Sequence, residues 1–197
     1  MGSGSQKWET RRWLKPIRRP RLREMPYPSK YVGSSTLRDG TEVLVRPIRP
    51  DDAELEREFI QGLSDESSFL RFFAIPRNPS PEMIEELCNI DYENQMALVA
   101  ETSQGKKKLF VGVGRIIAST RNRAELAVVV ADDYQGKGMG VRLMASLLDF
   151  AREKKFASVY ALILPENTPM INLARRFGFR VVLGEDKLVI AELPVTG

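Results

Sequence analysis

The chain has 197 residues, 43% hydrophobic and 28% charged, with a net charge of +4, enough to bury the core of one domain with an appendage. No apolar run approaches the roughly 20 residues that span a bilayer, no signal-peptide pattern opens the chain, and one cysteine, Cys88, rules out an internal disulfide, so a cytoplasmic location without membrane attachment is expected. Histidine is absent, which excludes a Ser-His-Asp or Cys-His centre of the usual form, argues against a metal site of the zinc type, and leaves proton transfer to carboxylates, Tyr, Lys, Cys or water.

The basic excess is concentrated at the start of the chain. Residues 1–31 hold nine Lys or Arg and two acids, a local charge of +7 that leaves the remainder at −3. Residues 1–5, MGSGS, read as a flexible leader of the kind a tag leaves. Residues 6–31 are rich in Arg, Pro and Trp and lack a regular apolar period, so residues 1–34 are assigned to a basic N-terminal arm or linker. Such an arm is either a solvated linker or a contact for nucleic acid or an acidic protein. No nucleic-acid-binding motif accompanies it, so nucleic acid is not expected as the partner. Trp8 and Trp13 are candidates for anchoring the arm on the domain.

The domain, residues 35–197, opens with TLRDGTEVLVRPI, in which Asp39-Gly40 separates two strand-like runs as in a hairpin. Pro50-Asp51-Asp52 offers N-caps for a helix over about 53–62. Ser64-Asp65-Glu66 starts a second helix through FLRFF, whose Phe72 and Phe73 either pack in the core or line an acceptor site. Ser80-Pro81-Glu82 starts a third, to about Asn89, through a cap, a proline at the first helical position and an acid in the first turn. The texture then becomes extended, with strands predicted over 95–101, 108–117 and 124–131 and turns at 103–105 and 121–123. GMGVRLMASLLDFAREKK has the helical period in Val141, Leu143, Met144, Leu147, Leu148 and Ala151. SVYALIL, 158–164, is a strand, TPMINLARRFGF a helix ended by Gly178, and RVVL and KLVIAEL are the last strands. This order predicts an α+β domain around one mostly antiparallel sheet.

The most informative stretch is AELAVVVADDYQGKGMG, Ala124 to Gly140. The first turn of a helix presents N–H groups without intrahelical acceptors and the positive end of the dipole, where an anionic phosphate fits. Glycines at alternate positions, Gly136, Gly138 and Gly140, let a ligand approach those amides, with Lys137 as a cation on the rim. A tight turn that needs glycine is the other reading. The spacing is not that of a Walker loop, and antiparallel strands before it argue against a dinucleotide fold.

Gln135-Gly136-Lys137-Gly138-Met139-Gly140 resembles the Q/R-x-x-G-x-G/A motif of the GNAT superfamily of acyl-CoA-dependent N-acyltransferases. ENTPMINLARRFGF resembles the second block of that family, with Asn167 and Gly178-Phe179 at the usual separation, and the element order agrees over residues 36–192. LRDGTEVLVRPIRPDDAEL, LSDESSFLRFF and IDYENQMALVAE resemble the acetyltransferase domain of bacterial Pat-type protein lysine acetyltransferases. Many members of that group carry an additional regulatory or synthetase-like domain, which these residues do not include. The resemblance implies a GNAT-like fold, acetyl-CoA as co-substrate, and transfer of acetyl to a lysine of a protein, an AMP-forming acetyl-CoA synthetase or similar acyl-CoA synthetase. A small amine or a protein N-terminus as acceptor, and a non-catalytic acyl-CoA sensor, are the alternatives.

The resemblance also assigns residues. The CoA pyrophosphate is expected on the amides of Gln135, Gly136, Lys137, Gly138, Met139 and Gly140, with Val141 next along the helix. The pantetheine arm is expected along the backbone of Val128 and Val130, one of whose amides polarises the thioester carbonyl, and Asn167 is expected to contact the cofactor. An acceptor lysine has an ordinary pKa of about 10.4, so a base is needed. The resemblance places it at Glu125, whose apolar neighbours would raise its pKa. Read from the residues alone, Glu125 is a surface strand carboxylate opposite Arg123 or Arg115. Many family members have a Tyr seven residues after the Asn of the second block; here that position is Ala174, so no general acid is assigned. Cys88 sits in apolar company and reads as a buried hydrophobe, which favours direct transfer over an acyl-enzyme.

Overall fold

The computed structural model describes residues 26–184 and 186–195. Strands β1 (Gly33–Thr36) and β2 (Glu42–Pro47) form the hairpin around Asp39-Gly40, and helices α1 (Ala53–Gly62), α2 (Asp65–Phe72) and α3 (Pro81–Cys88) follow. The Ser64 and Ser80 hydroxyls cap α2 and α3 by accepting from the N–H groups of Ser67 and Met83, as the two Ser-acid starts lead one to expect. Then come β3 (Gln95–Gln104), β4 (Lys107–Ala118), β5 (Arg123–Val130), α4 (Met139–Glu153), β6 (Ser158–Ile163), α5 (Thr168–Arg176), β7 (Arg180–Leu183) and β8 (Val189–Pro194). Helix α5 stops at a glycine: Gly178 N–H donates to Arg175 O and Phe179 N–H to Ala174 O, the paired bonds of a Schellman end.

The strands make one mixed eight-stranded sheet in the order β1-β2-β3-β4-β5-β6-β8-β7. Among the described strands every neighbouring pair is antiparallel except β5 and β6. Side-chain alternation along the strands feeds two cores. On one face Leu143, Met144 and Leu147 of α4 pack with Leu98, Val111, Ile116 and Leu126. On the other, Phe59 and Ile60 of α1 and Ile84 and Cys88 of α3 pack with Ala97, Val99, Val113 and Val129.

One irregularity in this sheet positions everything below. Strands β5 and β6 share only three pairs, Arg123↔Ser158, Ala124↔Val159 and Glu125↔Tyr160. Beyond them β5 stays with β4 as far as Val130↔Gly112, while β6 stays with β8 as far as Ile163↔Val189. The sheet therefore opens between β5 and β6, with Glu125 and Tyr160 at the apex.

Residues 26–34, counted with the arm by composition, lie on the domain. The Tyr27 hydroxyl donates to Pro47 O at 2.9 Å, the Tyr31 hydroxyl to Glu153 Oε2 at 2.7 Å, and β1 pairs with β2 from Gly33 onward. Trp8 and Trp13 fall outside the described residues. Among the described residues no helix is long and apolar enough to cross a membrane.

Candidate active site

The opening between the strands is bounded on the β5 side by backbone groups that β6 does not pair, and their direction follows from the ladder. Ala131 N–H donates to Val111 O at 3.0 Å. In an antiparallel pair successive residues point their amides to alternate sides, so Val129 and Ala127 also face β4, and Val128 and Val130 turn theirs toward the opening. The Val130 carbonyl accepts from Gln135 Nε2 there at 3.1 Å. The two residues expected to pair with an extended ligand are thus the two that present backbone to the gap.

The gap widens into a cleft of about 610 Å³ between β5, the β5–α4 loop, the start of α4, α5 and α2. Val128, Val130, Gln135, Gly136, Gly138, Met139, Gly140, Val141 and Asn167 all line it. The glycines serve different ends. Gly136 and Gly138 have φ of +71° and +100°, which side-chain-bearing residues seldom adopt, and Gly138 occupies the N-cap position of α4. Gly140 sits where α4 meets α5, and a Cβ on it would stand 3.4 Å from Leu173 Cδ2. The turn needs glycine at these positions, and the residues of the first turn of α4 line the cleft.

The cation expected on the rim is differently placed. Lys137 Nζ pairs with Asp39 Oδ2 at 2.7 Å, and that contact, with bonds from Thr41, holds the Asp39 carboxyl down at about 2. The cleft takes its positive charge from Arg38, which precedes Asp39 in the β1–β2 turn, and from Arg176 and Arg71. Arg38 is tied to the glycine loop: its N–H donates to Lys137 O at 3.2 Å and its guanidinium to Gly136 O at 3.4 Å. Nothing local in LRDGT marks Arg38 for this place, because the contact spans 98 residues.

Helix α2 supplies one wall of the cleft, through residues other than the two phenylalanines offered for an acceptor site. Glu66, Ser67, Leu70 and Arg71 line the cleft, while Phe72 packs on the core under α1 and α3. Asp132 fixes the start of this helix by accepting from Ser64 N–H at 3.0 Å and from the Ser64 and Ser67 hydroxyls at 2.7 Å each. Burial pushes the Asp132 carboxyl up, but the Ser64 and Ser67 bonds outweigh it and leave it below the ordinary range. Gln135 Nε2 also bonds Ser67 Oγ at 3.0 Å, joining α2 to the loop.

Glu125 lies at the apex of the opening rather than on the cleft wall, and it is 9% exposed. Its side chain shares a face with Arg115 on β4, and the charges around it come from Glu56 of α1 and Arg71 of α2. Arg115 bonds Glu56 Oε1 at 3.0 Å. Burial, and after it the charge of Arg115, lowers Arg71 to about 10, with Glu56 and Glu125 opposing. Arg123 pairs with Glu192 at 3.0 Å. The picture of an exposed strand acid facing Arg123 or Arg115 does not describe this group. It is an acid in a buried set of charges.

The remaining candidates sort simply. Asn167 Oδ1 caps α5 by accepting from Met170 N–H at 3.1 Å, so this residue shapes one cleft wall. Ala174, on the inner side of α5, is fully buried. Cys88 is 1% exposed and burial pushes its thiol up to about 12, which removes it as a nucleophile.

Residues 42–180 match the family model described as the acetyltransferase (GNAT) domain. The chain is 38% identical over 145 residues to acetyltransferase PA5475 of Pseudomonas aeruginosa, covering 73% of this chain and 78% of that protein. It is 29% identical over 161 residues to acetyltransferase Pat of Mycolicibacterium smegmatis, covering 81% of this chain but only 47% of Pat, so it spans about half of that relative. The solved GNAT domain of S. lividans PAT superposes with a TM-score of 0.77 at 30% identity, covering 85% of this chain and 99% of that domain.

Proposed function

The chain belongs to the GNAT acetyltransferase family, and from that premise we propose that it moves an acetyl group from acetyl-CoA to a lysine side chain of a protein, an AMP-forming acyl-CoA synthetase, by direct attack in a ternary complex. The observation that carries the transferase reading is the opened β5–β6 pair, with the glycine loop at its wide end and a buried carboxylate at its apex. The likeness to the PAT GNAT domain over nearly all of that domain supports a protein lysine as acceptor.

In this reading the N–H groups of residues 136–141 receive the CoA pyrophosphate at the positive end of α4, with Arg38 beside them. The amides of Val128 and Val130 pair with the pantetheine, and one of them stabilises charge developing on the thioester oxygen. Glu125 takes a proton from the acceptor ammonium, directly or through water. The amine nitrogen then bonds the carbonyl carbon, the carbon–sulfur bond breaks, and the nitrogen gives up its second proton to water or to the departing sulfur as CoA leaves.

The test is mass spectrometry of a purified AMP-forming acetyl-CoA synthetase after incubation with the protein and acetyl-CoA. Enzyme-dependent acetylation of a synthetase lysine is expected. Tight acetyl-CoA binding without it would move the acceptor to a small amine or a protein N-terminus, or leave an acyl-CoA sensor.

Two expectations test the donor end. Gly138→Val should raise the acetyl-CoA Kd about tenfold or more, because a β-branched residue at φ +100° costs about 1–3 kcal/mol and the loop would shift to avoid it. A new Cβ meets no atom within 4 Å, so the effect is conformational rather than a clash. Wild-type affinity in the folded variant counts against the loop assignment. Arg38→Ala should raise the KM for acetyl-CoA about fivefold, less at high salt, since Arg38 is an exposed charge. The KM for acetyl-pantetheine, which lacks the phosphates, should not move; equal losses for both donors would remove Arg38 from phosphate recognition.

A further inference from the structure

We propose that Tyr160 is a positioning residue for Glu125, orienting its carboxylate and holding it ionised, an inference that rests on Glu125 being the base. The two residues are the last aligned pair of β5 and β6 before the strands part. In parallel strands aligned residues point to the same face, and the Tyr160 hydroxyl donates to Glu125 Oε2 at 3.3 Å. Both side chains are buried, at 9% exposure. An ionised carboxylate only accepts, so the phenol is the donor in this bond.

The ring is itself fixed. The Arg123 guanidinium lies 4.8 Å from its centroid, and Glu192 on β8 holds Arg123. The strand below and the cation above leave the hydroxyl aimed along the apex. Charged groups approach Glu125 from each packed element: Arg115 on β4, Glu56 on α1, Arg71 on α2, and Arg123 beside the Tyr160 ring. The arginines favour the ionised form and Glu56 opposes it. The bond from the neutral phenol exists in full only with the ionised form, so it adds to the arginines in favouring that form.

Two features of Tyr160 point to position rather than to direct chemistry. Its hydroxyl is directed at the carboxylate. It stands on β6, on the far side of the opening from the backbone of Val128 and Val130. At the apex of the opening the last parallel pair and the side-chain bond together fix the carboxylate.

The test is the pH dependence of kcat/KM for Tyr160→Phe, which keeps the ring and its Arg123 contact. Turnover near neutrality should fall about tenfold, and the acid limb should move up by about one pH unit, the scale of a lost bond to a charged group. The acetyl-CoA Kd should stay unchanged, which also reports an intact fold. Site-specific 3-fluorotyrosine at 160, a stronger donor of the same shape, should move the limb the opposite way. In a Glu125→Gln background Tyr160→Phe should have no further effect, because the two act as one unit. An unmoved acid limb in both variants, or losses that add, overturns the proposal while leaving the base intact. Full activity of Glu125→Gln alone overturns the base reading instead.

Discussion

Glu125→Gln is expected to lower turnover about 10²–10⁴-fold, the usual scale for losing a general base, while acetyl-CoA binds nearly as well as to the unaltered protein. Gln is the informative replacement because it preserves shape. Its side-chain oxygen still accepts from the Tyr160 hydroxyl, so the apex of the β5–β6 opening stays closed. Only the proton-accepting capacity is removed. The backbone of Val128 and Val130 and the glycine loop lie toward the other end of the cleft and are untouched, which is why affinity and turnover should separate. The change also removes one negative charge from a buried set in which Arg71 and Arg115 meet Glu56 and Glu125. Some loss of stability is expected from that imbalance, so activity must be compared at a temperature where both proteins are folded. Unchanged turnover would end the assignment of Glu125. Lost acetyl-CoA binding with normal turnover at saturation would show that the residue belongs to the donor site.

The sequence was most legible where the determinant is local. Capping serines, the DG turn, the apolar period of α4 and the glycine that ends α5 each act within a few residues, and the elements lie where those signals put them. The glycine loop was legible for the same reason, although the positive φ at Gly136 and Gly138 and the α4–α5 contact at Gly140 are two separate causes behind one motif. Contacts between distant segments left no local trace. Arg38 reaches the loop from a turn 98 residues away, α2 becomes a cleft wall because Asp132 and Gln135 bind its serines, and Lys137 is drawn aside by Asp39. Strand β1 begins in Gly33-Ser34-Ser35, poor strand formers that the pairing with β2 holds in place. The burial of Glu125 follows from α1 and α2 folding over β4 and β5, and no spacing along β5 encodes it.

That same packing depends on a second buried set of charges, and its loss should be the largest effect on stability. Arg46 on β2 places its guanidinium between Asp52, at the start of α1, and Glu101 on β3. Its two terminal nitrogens each meet an Asp52 oxygen at 2.7 Å, and its Nε and one terminal nitrogen meet Glu101 Oε2 at 3.0 and 2.7 Å. Lys108 takes the other Glu101 oxygen at 2.7 Å. Arg46, Asp52 and Glu101 are all buried. Arg46→Met fills much of the same volume but leaves two buried carboxylates facing each other. Breaking such a pair costs about 3–5 kcal/mol, or about 10 °C in Tm for a domain of this size. The cost should depend on pH in a definite direction. Burial raises the Glu101 carboxyl, but the bonds from Lys108 and Arg46 outweigh it and leave it lowered. A carboxyl lowered in the folded state contributes stability above its unfolded pKa of about 4.3, and that contribution is lost as pH falls below it. Without Arg46 much of this contribution is already gone at pH 7, so the gap between variant and wild type should narrow as pH falls toward 4. Adding Glu101→Gln to Arg46→Met should recover part of the loss by removing one uncompensated charge. Urea unfolding at pH 7 and near pH 4 measures both. A gap under about 1 kcal/mol at pH 7, the scale of an exposed pair, or a gap that widens in acid, would mean that the network does not hold α1 to the sheet.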